Sequence, residues 1–102
     1  MKNIQNKVFV GFTGEAIQSE GKPFDVKSVL ITHIGNYDAT GKEAVLTWRL
    51  GLKVEKQTID SMLMLEDAEF DLLKKICQPV KPIYKAVIYG QLEEIFEAAE
   101  KG

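Results

Sequence analysis

Phe24-Asp25-Val26-Lys27-Ser28-Val29-Leu30-Ile31-Thr32-His33-Ile34-Gly35 is the stretch on which the fold class turns. Its β-branched content favours a strand, while three separate signals favour a helix. Asp25 suits an N-cap, where a short carboxylate accepts from the free amides of the first turn. Val26, Val29, Leu30, His33 and Ile34 share one face at helical spacing. Gly35 stands where helices often stop. Cap, period and stop agree, so the spacing predicts a helix here. The chain is then predominantly helical rather than all-β.

Working outward, Lys7-Val8-Phe9-Val10-Gly11-Phe12 reads as a strand, turned at Thr13-Gly14 and returned by Glu15–Gln18. Ser19-Glu20-Gly21-Lys22-Pro23 reads as a loop. Downstream, Thr40 stands three residues before Glu43, the spacing of a capping box, and a second helix is expected to run to about Glu55. Val45, Trp48 and Leu52 form its expected inward stripe, widened by Ala44 and Leu46. Arg49, Lys53 and Lys56 share one edge of that stripe. Gly51 costs about 1 kcal/mol relative to alanine inside a helix, which implies close approach of another backbone.

Ser61-Met62-Leu63-Met64-Leu65 suits a strand or an extended lead-in, with both methionines expected as core filler ahead of the rival reading, a yielding interface surface. Glu66-Asp67-Ala68-Glu69 opens a third helix with acids where the macrodipole favours them. Phe70, Leu73, Ile76 and Cys77 follow its buried face. A fourth helix is expected from Pro82, a favoured first position. Its stripe is Tyr84, Val87, Ile88, Leu92, Ile95, Phe96 and Ala99. The sequence therefore predicts an α+β fold, predominantly helical with about four helices, and an N-terminal β-hairpin or small sheet. No linker or repeat interrupts residues 1–102, so one domain is expected.

Composition narrows the function classes. The 102 residues carry a net charge of −2, which gives no broad electrostatic footprint for duplex nucleic acid. One cysteine, Cys77, cannot close an internal disulfide and suits a reducing compartment. No apolar segment approaches the ~20 residues that a membrane span requires, and no secretory signal opens the chain. The expected location is the cytoplasm.

Catalytic machinery is sparse. One histidine and one cysteine cannot make a Cys/His zinc site, no calcium loop is present, and neither familiar phosphate loop occurs. No cofactor or metal is expected. His33, near Tyr37 and Asp38, offers a general base in principle; set against that is a helix-end histidine that interacts with the last carbonyls. Cys77 lies on an apolar face, where cysteines are usually inert. The chain reads as a non-enzyme.

Trp48-Arg49, with Lys53 one turn on, is the most distinctive local feature. An aromatic ring beside a guanidinium can stack a base and pair a phosphate. The competing reading puts Trp48 in the core with Arg49 at its rim. If a ligand binds, the expected site is Trp48, Arg49 and Lys53, walled by Tyr37 and His33. A homo-oligomer, a two-fold dimer, is also expected, because Tyr84, Val87, Ile88, Tyr89 and Leu92 exceed what one packing seam needs and Gly90 permits close contact.

Several strings carry a family resemblance: Gly14-Glu15-Ala16-Ile17, Val26-Lys27-Ser28-Val29-Leu30 and Leu50-Gly51-Leu52-Lys53-Val54, then Leu65–Lys75 and Tyr89-Gly90-Gln91-Leu92-Glu93. In this order the chain resembles small bacteriophage and prophage proteins of unknown function. The Gly-Gln pair inside the last helix is the most specific fragment. The resemblance implies a phage origin and a host bacterial cytoplasm, and it brings no catalytic residues. The expected function is a phage-type accessory binding protein that captures or masks a host target, either a defence protein or a small anionic nucleotide held in an oligomer. The alternative is a structural or virion-assembly role of chaperone type.

Overall fold

The computed structural model describes residues 1–101. Among them the elements run β1 (Lys2–Gln5), β2 (Gln18–Ser19), β3 (Lys22–Pro23), α1 (Val26–Gly35), α2 (Gly41–Glu55), β4 (Met62–Leu65), α3 (Asp67–Ile76) and α4 (Ala86–Lys101). The architecture is α+β: four helices pack with a small antiparallel sheet that includes the N-terminal strand.

Helix α1 follows its sequence signals closely. The Asp25 carboxylate accepts from the Ser28 amide at 3.0 Å and the Ser28 hydroxyl at 2.7 Å, closing the first turn. Val26, Val29, Leu30, His33 and Ile34 are its buried residues. The stop differs from expectation: Gly35 is the last helical residue and Asn36 caps it, with no left-handed glycine at the end.

The sheet pairs the first strand with the last, Lys2↔Leu65 through Gln5↔Met62. Ile4, Leu63 and Leu65 enter the core, whereas Met62 and Met64 face outward and are not core filler. The expected 7–12/15–18 hairpin reduces to a bridge between Val10 and Ala16, closed by Gly14 at φ +88°. Phe9 is the buried anchor of this segment: its amide donates to the Phe24 carbonyl and its carbonyl accepts from Ile17. The stretch expected as a loop is itself a tight hairpin, β2–β3. Glu20 and Gly21 both have positive φ there, as a type I′ turn requires.

Asn6 joins three parts of the fold. Its side-chain amide donates to the Asp25 carboxylate and the Thr58 carbonyl, both at 3.1 Å, and its side-chain oxygen accepts the Lys27 amide at 2.8 Å. Its backbone bonds to Asp60 and Ser61. Burial acts to raise the Asp25 carboxyl, but the Ser28 and Asn6 hydrogen bonds outweigh it and hold the group below the usual carboxylate range. The end of β1, the start of α1 and the 57–61 loop are thereby clamped by one satisfied polar cluster.

Helix α2 is turned relative to expectation. Thr47, Leu50 and Val54 are buried, while Val45, Leu46, Trp48 and Leu52 are exposed. The capping box is absent: Thr40 makes no side-chain cap bond. Glu43 instead accepts from the Tyr37 hydroxyl at 2.8 Å and pairs with Lys75 at 3.3 Å. Those partners hold the Glu43 carboxyl low. Gly51 does mark a close approach, but to a side chain: an added Cβ would lie 3.3 Å from Ile34 Cγ2.

In α3, Phe70, Leu72, Leu73 and Ile76 are buried, with Cys77 at its cap, and Glu69 accepts the Glu66 amide at 2.9 Å. Burial pushes the Cys77 thiol up to about 12, so it stays protonated and unreactive. Helix α4 begins at Ala86, not Pro82. The lead-in is tied instead to the Tyr89 side chain, whose hydroxyl accepts the Ile83 and Tyr84 amides at 3.0 and 3.4 Å. Ile88, Leu92, Phe96 and Ala99 enter the core, and Tyr84, Val87, Tyr89 and Ile95 pack against it. The apolar surplus that suggested a dimer seam on α4 is thus largely used inside the chain. Among the described residues no helix is long and apolar enough to cross a membrane.

Candidate functional site

Two consequences of the α2 rotation build the site. Its apolar residues at 45, 48 and 52 are left outside, and the small residues beside them open a groove against α1. Trp48 is 67% exposed, and Val45 and Leu52 are each nearly half exposed. The groove has a volume of about 510 Å³. Ile31 and Ile34 of α1 and Trp48 and Leu52 of α2 form its long walls, and Tyr37 is a further lining residue. Gly35, Ala39, Ala44 and Gly51 keep it open by having little or no side chain. Glu55 is the charged residue of the lining, and it sits 3.7 Å from Lys27.

Tyr37 and Trp48 therefore meet at one groove, as the sequence suggested. The other three expected site residues do not join them. His33 is 3% exposed and lies on the inner face of α1, so it cannot wall an external site. Its Nε2 is 3.0 Å from the Tyr89 hydroxyl, and its ring stacks edge-on against Tyr84. Because that hydroxyl accepts two backbone amides, it gives its own proton to Nε2, which assigns the imidazole proton to Nδ1. Burial lowers the His33 pKa, and the ring is a neutral acceptor. His33 is thus a buried polar side chain satisfied among the half-buried rings of Tyr84 and Tyr89.

Arg49 and Lys53 lie on the edge of α2 away from the groove. Lys53 is already engaged, donating to the Glu69 carboxylate at 3.0 Å. Arg49 is exposed and pairs with no carboxylate among the described residues. No group of three or more potential metal ligands occurs among the described residues.

Sequence reasoning missed the groove itself. Its signal was present in Gly35, Ala44 and Gly51, small residues on two neighbouring helices, and in Ala39 of the loop between them. Their meaning depends on which way α2 faces, and that is a tertiary fact. Comparison with family models, with curated proteins and with solved structures finds no match for this chain.

Proposed function

We propose that this chain is a non-enzymatic binding protein that captures a protein partner, seating an apolar segment of it in the α1/α2 groove against Trp48. The observation that carries the reading is the exposed indole bordering an apolar groove on a helix whose core face is separately filled. Large exposed apolar surface of this kind marks interaction sites in folded proteins, and tryptophan is favoured where binding energy concentrates. A nucleotide fits the groove less well. Its lining offers no cation to pair a phosphate, and its charged member, Glu55, is already matched by Lys27. We take the partner to be a host protein met in the host bacterial cytoplasm, as the resemblance to phage proteins implies.

Trp48 is the chain's single tryptophan, so its emission reports directly on the groove. Gly35→Leu fills the groove at a position where an added Cβ meets nothing within 4 Å. The expected result is a protein that co-purifies with the wild-type chain from infected bacteria, is lost with Gly35→Leu or Trp48→Ala, and blue-shifts Trp48 when re-added pure. Nucleotides should leave the emission unchanged. A nucleotide-dependent shift at Trp48, or a partner retained by both variants, overturns the reading.

A further inference from the structure

The exposed face of α2 has a heptad order that specifies the partner more closely, given the groove reading above. Val45 and Leu52 stand seven apart with Trp48 between them, as a and d positions do in a helix–helix seam. One position beyond each d-type site come Lys42, Arg49 and Lys56, also seven apart. All three are exposed, and none pairs with a carboxylate among the described residues. The opposite flank of the seam carries Ala44 and Gly51, which open the groove toward α1. One flank is cationic, the other is small and concave.

We propose that the occupant is an acidic amphipathic helix of another protein, its apolar stripe laid on Val45, Trp48 and Leu52 and its carboxylates meeting Lys42, Arg49 and Lys56. Charge complementarity selects this occupant over the two nearest competitors. In an antiparallel pair of α2 helices from two copies, flanking positions meet their own kind, so Lys42, Arg49 and Lys56 would face like charges. The acidic residues of α4, Glu93, Glu94 and Glu97, are exposed, but the apolar stripe of α4 is already in its own core. Helix α3 is alike, with Asp67 and Asp71 exposed and Phe70, Leu72, Leu73 and Ile76 buried, so a second copy lacks a helix that is both acidic and apolar on its free side. A membrane surface is met best by a convex helix with cations on both flanks. Here one flank is a groove bordered by Glu55.

The test uses two synthetic three-heptad peptides, both with leucine at a and d, one with glutamate at e and g and the other with lysine. Each is titrated into the full chain while Trp48 emission is followed. The glutamate peptide should blue-shift the emission and bind at least about tenfold more tightly than the lysine peptide at low salt, with the gap narrowing at ~1 M salt, where the Debye length is about 3 Å. The triple variant Lys42→Glu, Arg49→Glu, Lys56→Glu should reverse the preference. Its circular dichroism melt serves as the control, because these side chains are exposed and outside the core. Equal binding of both peptides defeats the charge selection and leaves the groove reading standing. No Trp48 shift with either peptide defeats both. A Trp48 shift on phosphatidylglycerol vesicles but not with peptides assigns the face to a membrane and overturns the proposal. A concentration-dependent shift with doubled mass in light scattering assigns it to a second copy and does the same.

Discussion

Helices α1 and α2 lie against each other, yet they dispose of their apolar residues in opposite ways. Val26, Val29, Leu30 and Ile34 of α1 form one stripe, and the fold buries it. α2 has two stripes on roughly opposite sides. Leu50 and Val54 are buried with Thr47, while Val45, Trp48 and Leu52 remain outside. A helix that only needs to fold requires the first arrangement. The second leaves uncompensated apolar surface in water, at roughly 25 cal/mol per Å², and a binding partner gives that surface a use.

The contrast breaks most readily at Leu50. Leu50→Ala should cost about 2–5 kcal/mol in chemical denaturation, since it empties a core position. A loss under 1 kcal/mol would mean that the two faces of α2 have been assigned the wrong way round. Asn6→Ala comes next, at about 1–3 kcal/mol, because it leaves the Asp25 carboxylate and the Lys27 amide short of a partner. Wild-type stability in that variant would show that the clamp below α1 is dispensable.

Tyr89→Phe should cost about 1–2 kcal/mol by orphaning the Ile83 amide and His33 Nε2. Its hydrogen exchange should quicken at Ile83 and Tyr84 while the α1 core stays protected. Uniform acceleration across the chain would argue against a local role.

The pH dependence has two windows. The His33 pKa is lowered from 6.5, so below that pH the unfolded chain takes up the proton first and stability falls with pH until the folded-state value is passed. Asp25 is lowered from 3.8, so its contribution is present above that pH and is lost as pH falls through the folded value. His33→Gln should flatten the upper window and leave the lower one. An unchanged profile between pH 7 and about pH 5 would mean that His33 is solvated in solution. The smallest effect belongs to Trp48→Ala, within about 0.5 kcal/mol as for a surface change, and a large loss there would return the indole to the core.

α1 was legible because its apolar residues other than Ile31 fall on one stripe and Asp25 fixes where it starts. α2 was not, because two stripes of similar strength compete and the polar Thr47 sits on the buried one. Lys2–Gln5 contains one strongly apolar residue, Ile4, and becomes a strand through pairing with β4 and packing against α4. At the site, Trp48 and Tyr37 were legible as candidate binding aromatics, but helical spacing also set Trp48 on the inward stripe, and only the packing of α2 leaves Trp48 exposed and Tyr37 half-buried. His33 misled because its partner, Tyr89, lies on α4, far along the chain. Arg49 and Lys53 were grouped with the groove because helical spacing gives an edge but not what faces it.

The sheet also sets the order of events during synthesis. Lys2 pairs with Leu65, so β1 leaves the ribosome long before the strand that completes it. Loop closure over that span must precede any gain from pairing, which slows folding relative to a bundle of local contacts. Until β4 arrives, Lys2–Gln5 is backbone without its partner, free to pair with a neighbouring chain. Protease protection of ribosome-bound chains should therefore rise only once residues 62–65 have emerged. A stalled chain that ends before Met62 keeps this segment unpaired and is expected to aggregate more readily than the full chain.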